Sequence, residues 1–237
     1  MSDIDWVRVV GFTGLVVVMW ELAGRLKLSG RCRSGDARKL NHVTALAGGA
    51  FVFGWALEPG ARASCYAGMA VAFGLLLVMC AFHERPPFRT MFAGYARESD
   101  APHEAFHVWF SWLVSIVGLV TIDRAFGDMT VTRTAGLVLG LADGIAEPVG
   151  VRWGRRKYRV PSLTGGATVY RSVEGSAAVF VATFLVVVAI RTPASVGLAL
   201  MTAAVVTLAE AASPHGLDNL TIPLAVGGVL VAADGRV

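Results

Sequence analysis

Apolar runs close to the length of a membrane-crossing helix recur along this chain, and they constrain its fold more than any other feature. The runs cover residues 4–26, 63–82, 106–122, 131–150, 173–190 and 194–212. A helix needs about 20 predominantly apolar residues to cross the hydrocarbon, where it must also pair its backbone polar groups internally. Two shorter runs, 42–57 and 220–233, read as tilted ends, re-entrant pieces or partial spans. The pattern predicts an all-α fold, a polytopic transmembrane helical bundle of about eight spans, with seven as the fallback. It also predicts one integral-membrane domain over residues 1–237, because no repeat, Pro- or Ser-rich linker or soluble segment interrupts it.

Composition excludes the other classes. Of the 237 residues, 55% are hydrophobic and 16% charged. Counting the 27 Gly and omitting the 4 Tyr gives about 64% apolar, where soluble domains run roughly 45–50% and carry about 25% charge. Mean hydropathy is +0.61. A compact soluble domain needs a polar exterior that this composition cannot supply. Three cysteines, Cys32, Cys65 and Cys80, make no disulfide framework. The first apolar run is expected to remain in the mature protein, because Asp3 and Asp5 accompany Arg8 at its head and the strongest basic cluster comes after it.

With eight spans the loops alternate sides, and fifteen of the 21 Lys and Arg fall on one side. The positive-inside rule makes that side cytoplasmic and puts both termini outside. Topology and anionic headgroups then account for the net charge of +4, and no nucleic-acid partner is expected.

Ionisable groups in or at the edge of apolar segments are costly, so each is a functional candidate. Asp143 and Glu147, at the inner end of the fifth run, are four apart and share a helix face. A divalent cation would compensate the pair, and hard oxygen ligands suit Mg²⁺. Gly150 and Gly154 continue a small-residue row from Ala146, which permits close helix packing or close approach of a ligand. Pro148 is a candidate helix end. Arg171, Ser172, Glu174, Gly175 and Ser176 then open the sixth run, where a helix N-terminus with a flanking cation and hydroxyls favours an anion such as triphosphate. Glu174 is also placed as a first-turn acid facing the helix dipole. Arg38, Lys39 and His42 stand at the entry of the second run, suited to phosphate or to a proton. Glu210 ends the seventh run, and Asp218 and Asn219 before Pro223 offer either oxygen ligands or an ordinary helix cap. All four groups fall on the loop side assigned to the cytoplasm, and their chemistry suits phosphoryl transfer, which rests on positioning and charge neutralisation.

In their order and residue types these blocks resemble the CTP-dependent polyprenol kinase family, which includes phytol kinase, dolichol kinase and the yeast-type diacylglycerol kinase. Arg38-Lys39-Leu40-Asn41-His42 is similar to the family's R-K-x-x-H. Asp143-Gly144-Ile145-Ala146-Glu147-Pro148-Val149-Gly150, with Gly154 beyond it, is similar to D-G-x-A-[DE]-x-x-G-x-x-x-G. Arg171-Ser172-Val173-Glu174-Gly175-Ser176 is similar to K-S-x-x-G-S, and Glu210 with Asp218-Asn219-Leu220-Thr221-Ile222-Pro223 to E…D-N-x-x-x-P. The blocks span 38–223. The resemblance implies transfer of the CTP γ-phosphate to a lipid alcohol, phytol or a related prenol, with diacylglycerol as an alternative acceptor. It implies Mg²⁺ on Asp143 and Glu147, with Asp218 and Asn219 as additional oxygen ligands. Arg38, Lys39 and Arg171 would hold phosphates, Gly144, Gly150 and Gly175 would admit the nucleotide beside Ser172 and Glu174, and His42 would accept a proton or touch the phosphate donor. Two positions depart from the pattern: Arg171 stands where the family usually has Lys, and Glu147 where Asp is commoner. The second and third blocks also resemble phosphatidate cytidylyltransferase, which transfers a cytidylyl group from CTP and generally lacks the Arg38–His42 type of block.

Two further readings compete. His103-Glu104-Ala105-Phe106-His107 is a literal H-E-x-x-H, so an intramembrane zinc metalloprotease is a remote alternative, with Asp218 its nominal third ligand. That reading leaves the Arg38, Asp143 and Arg171 blocks unexplained. A transporter would carry its charges near the bilayer midplane on several helices, whereas here they gather at one face.

Overall fold

The computed structural model describes residues 4–54, 60–161, 169–191, 196–214 and 216–235, in two compact units whose boundary falls inside a single helix after residue 113. The expected runs 42–57 and 194–212 extend past the described residues at 55–57 and 194–195.

The first unit contains α1 (Trp6–Leu28), α2 (Ser34–Val43), a π-helical segment (Thr44–Gly48), α3 (Gly49–Gly54), α4 (Ala61–Ala81), α5 (Phe88–Ala93) and the start of α6 (Glu104–Phe126). Asp5 caps α1 by accepting from the Arg8 N–H at 3.1 Å, which satisfies a donor that a helix start leaves open. Along α1, Val9, Phe12, Val16 and Trp20 recur at spacings of three and four and form one stripe. The stripe packs on Leu76 and Met79 of α4, on Phe92 of α5, and on Tyr95 and Val108. Trp20, Tyr95 and Trp112 meet edge to face, with the Trp112 indole N–H donating to the Tyr95 hydroxyl at 3.2 Å. The opposite side of α1 exposes Val7, Val10, Val18 and Leu22. A helix apolar on both faces needs hydrocarbon on the face that protein does not cover.

In the second unit, Gly127 adopts φ +64 and lets the chain turn directly from α6 into α7 (Met129–Val138). Asp128 caps α7 by accepting from the Thr130 N–H at 2.8 Å. A π-helical segment (Leu139–Asp143) and α8 (Gly144–Trp153) continue α7 without a break, so Pro148 lies inside a helix and does not end one. Next comes a short antiparallel pair, β1 (Lys157–Val160) and β2 (Val169–Ser172), with Tyr158 opposite Arg171. The hairpin is a local addition to a chain that is all-α as expected. The rest is α9 (Val173–Ile190), α10 (Val196–Ala212) and α11 (Asp218–Ala233).

Ion pairs orient the last three helices. Arg171, just before α9, meets Glu210 near the end of α10 and Asp218 at the start of α11. Arg191, just after α9, meets Asp234, just after α11, at 2.5 Å. Thus α10 runs antiparallel to α9, and α11 parallel to it. From Arg171 to Arg191 a helical rise of 1.5 Å per residue gives roughly 30 Å, the thickness of a bilayer's hydrocarbon.

Among the described residues, five helices are long and apolar enough to cross a membrane: α1, α4, α6, the continuous Met129–Trp153 run and α9. The expected eight is not reached: α10 has 17 residues and α11 has 16, and the helical stretch 34–54 is too polar over its first half, which carries Asp36, Arg38, Lys39, Asn41 and His42.

Candidate functional site

The second unit gathers three of the four polar blocks. Asp143 is the last residue of the π segment and is 5% exposed. That segment packs against α9 and α11, which brings the stretch carrying Asp143 to the helices that carry Glu174 and Asp218. A π turn inserts an extra residue and rotates the helix beyond it, a geometry frequent at functional sites. Glu147 lies one turn further on, half-buried.

Arg171 is the hub. Its Nε meets a Glu210 carboxylate oxygen at 3.1 Å and its Nη2 the Asp218 Oδ2 at 2.9 Å, while Nη1 is buried with no hydrogen-bond partner among the described residues. All three side chains are largely buried, with Glu210 6% exposed. The planar guanidinium fork holds two carboxylates at once, which an ammonium point charge in Lys does less well. One cation between two anions leaves the group at net −1. Asp218 is further engaged by the backbone N–H of Asn219, which donates to Oδ1 at 3.0 Å. Asn219 itself is buried, and Gly118 of α6 lies against the Asn219–Pro223 turn: a Cβ there would stand 3.3 Å from the Asn219 carbonyl oxygen.

Ser172 caps α9, its buried Oγ accepting from the Gly175 N–H at 3.0 Å. The same hydroxyl fills the crossing of α8 and α9. A Cβ on Gly150 would sit 2.9 Å from Ser172 Oγ, and one on Gly175 would sit 3.0 Å from the Ala146 carbonyl oxygen. Gly150 and Gly175 therefore serve close helix packing. Gly144 opens α8 beside Asp143 and is buried. Glu174 faces outward, and both its carboxylate oxygens accept from the Arg156 N–H at 3.4 Å, tying the hairpin to the start of α9.

Tyr158 is absent from the expected site, and Glu210 enters it as part of the fourth block without an assigned role; both are prominent in the observed one. The Tyr158 hydroxyl meets Ser176 Oγ at 2.7 Å, and Ser176 donates to a Glu210 oxygen at 3.5 Å. Partial burial raises the Tyr158 phenol above the usual tyrosine range, the Ser176 hydrogen bond offsetting part of this. A signal for Tyr158 is present in the sequence: the β-prone Lys157-Tyr158-Arg159-Val160 and Val169-Tyr170-Arg171-Ser172 flank a Gly165-Gly166 pair, the pattern of a hairpin.

The fourth block lies in the first unit. Arg38, Lys39 and His42 are half-buried on α2, and Arg38 Nη2 donates to Ser111 Oγ at 3.5 Å. The other π segment, Thr44–Gly48, begins just after this block.

Among the described residues, no group of three or more His, Cys, Asp or Glu gathers in a way that would hold a metal. His103 precedes α6 and His107 lies one turn inside it, and among the described residues no third ligand of the kind a zinc peptidase requires gathers with them. The nominal third ligand, Asp218, is held by Arg171. Asp143 and Glu147 still fit Mg²⁺, which commonly takes one or two carboxylates and completes its shell with phosphate oxygens and water.

A helical membrane protein with carboxylates and cations drawn together at one end of its helices is the class that fold and site define. The chain is 30% identical over 230 residues to the phytol kinase of Synechocystis sp., a match covering 94% of this chain and 88% of that protein. It belongs to the phytol and polyprenol kinase family. No family model matches the chain, and no solved structure matches it.

Proposed function

We propose that the protein is a CTP-dependent lipid-alcohol kinase, transferring the γ-phosphate of CTP to phytol or a related prenol at the cytoplasmic membrane face. The observation that carries this reading is the near full-length likeness to a phytol kinase. Its support in the fold is the packing of the Asp143 segment against the helices that bear the other two blocks.

In this reading Asp143 and Glu147 hold Mg²⁺, which neutralises charge developing on the transferred phosphoryl group. Arg171 offers its Nη1 to a phosphate oxygen, with Arg38 and Lys39 as further phosphate contacts. Ser172, Gly150 and Gly175 act mainly by bringing α8 against α9, and Glu174 by fixing the hairpin, so their part in nucleotide binding is to shape its surroundings. Asp218 and Asn219 act through Arg171 and the turn of α11 more than as metal ligands. His42 is the candidate proton acceptor for the alcohol. The acceptor enters sideways from the bilayer. α10 and α11 cross the membrane beside α9, and the apolar half of residues 34–54 enters it, which keeps the arginine-rich loops on one side.

The test is transfer of label from γ-labelled or α-labelled CTP by purified protein in detergent with Mg²⁺. The lipids are phytol, geranylgeraniol, undecaprenol, diacylglycerol and phosphatidate. Label from the γ position appearing in a prenol is the expected result. Label from the α position appearing in phosphatidate would establish a cytidylyltransferase, and preference for diacylglycerol would reassign the acceptor.

A further inference from the structure

We propose that Tyr158 is a positioning residue for Arg171, acting from the hairpin through Ser176 and Glu210 to set the direction of the one guanidinium nitrogen left for an anion. The inference rests on the reading of Arg171 as a phosphate contact.

Three observations carry it. Tyr158 and Arg171 are directly opposed across β1 and β2, so the backbone holds the two residues at a fixed separation. A hydrogen-bonded path then leaves Tyr158 and returns to Arg171: Tyr158 hydroxyl to Ser176 Oγ at 2.7 Å, Ser176 to Glu210 at 3.5 Å, Glu210 to Arg171 Nε at 3.1 Å. Finally, with Nε and Nη2 both committed, the buried Nη1 has no hydrogen-bond partner among the described residues.

The path has a direction. An ionised carboxylate only accepts, so Ser176 donates to Glu210. The Ser176 oxygen is then left to accept, and Tyr158 is the donor. Each link holds the next in one orientation, as hydrogen-bonded chains in a low-dielectric setting do. Asp218 restrains the other arm of the guanidinium, but it sits in the first turn of α11 and reports on that helix, not on the hairpin. Tyr158 thereby couples the hairpin to the anion-facing nitrogen.

The experiment combines steady-state kinetics with thermal unfolding of full-length protein in detergent, using Mg·CTP and phytol. Losing one link of such a path is expected to raise the KM for CTP roughly five- to tenfold in Tyr158→Phe. kcat and the KM for phytol should change less than about twofold, as expected for a loss of ground-state binding. Ser176→Ala should match Tyr158→Phe, and Ser176→Thr, which keeps the hydroxyl, should retain the wild-type KM. In a Glu210→Gln background, Tyr158→Phe should add less than about 1.5-fold, because the path is already broken. Equal effects of Tyr158→Phe in both backgrounds, or an unchanged KM for CTP, would overturn the proposal. If the wild-type protein takes phosphate from no nucleotide, the kinase reading falls. The Tyr158→Phe/Glu210→Gln cycle on unfolding temperature then decides the linkage alone: non-additivity supports it and additivity removes it.

Discussion

Arg171 and Asp218, 47 residues apart, meet at 2.9 Å where β2 gives way to α9 and where α11 begins. At the far ends of the same two helices Arg191 meets Asp234. Two parallel helices are thus joined by charge at both ends, and between those ends each is mostly apolar, as expected of helices whose middle lies in hydrocarbon and whose ends do not.

Removing the cation from the buried cluster should cost more stability than removing the whole cluster. Arg171→Ala strands Glu210 and Asp218 and is expected to destabilise by about 3–5 kcal/mol. Arg171→Met combined with Glu210→Gln and Asp218→Asn leaves no unpaired charge and should recover most of the loss while transfer activity stays low. Unfolding temperature and transfer assays on the same preparations check both halves.

The α8–α9 crossing has no room for a methyl group. Gly154→Ala would drive a Cβ into the Gly150 carbonyl oxygen and to 2.7 Å from Ser172 Oγ, so a loss of about 1–3 kcal/mol is expected. Gly228→Ala, with no atom of the described residues within 4 Å of the added carbon, should leave the unfolding temperature unchanged or slightly raised. Similar losses in both variants would count against the crossing.

Asp143→Ala should abolish phosphoryl transfer with the fold intact, judged by an unchanged circular dichroism spectrum and elution volume. Chelation of Mg²⁺ should do the same to the wild type, and restored Mg²⁺ should rescue wild type but not the variant. Retained activity in Asp143→Ala would remove the residue from the metal site.

Cys32 reports on sidedness. With Cys65 and Cys80 replaced by Ala, a membrane-impermeant maleimide should label the protein only after the cells are permeabilised, if the loop between α1 and α2 is cytoplasmic. Burial, and then Asp36, raise the Cys32 thiol above its ordinary pKa, with Lys27 opposing them. The thiolate fraction at a given pH is therefore lowered, so labelling of purified protein at pH 8 should be slower than for a free thiol. Asp36→Asn should speed it. Labelling of intact cells would invert the proposed topology.

Much of the fold is legible because membrane-crossing helices are set by local composition. The run expected over 173–190 coincides with α9, and the run expected over 131–150 lies within the continuous Met129–Trp153 helix. The hairpin is harder to see, since four-residue strands beside long apolar helices make a weak pattern. Pro148 reads as an end because proline usually stops a helix. Here the π turn before it and the packing of α8 on α9 carry the helix through.

At the site, the order of residues establishes which chemical groups are available: scarce carboxylates and cations placed at the ends of apolar runs, where burial makes each one costly. Their partners are not legible there, because pairing depends on which helix ends meet and in which direction. It takes the folded chain to join Arg171 to Glu210 and Asp218, to seat Ser172 in a glycine crossing, and to link Tyr158 to Glu210 through Ser176. Charge and hydropathy act through local composition, whereas a hydrogen bond or ion pair forms only where packing brings distant segments within about 3 Å.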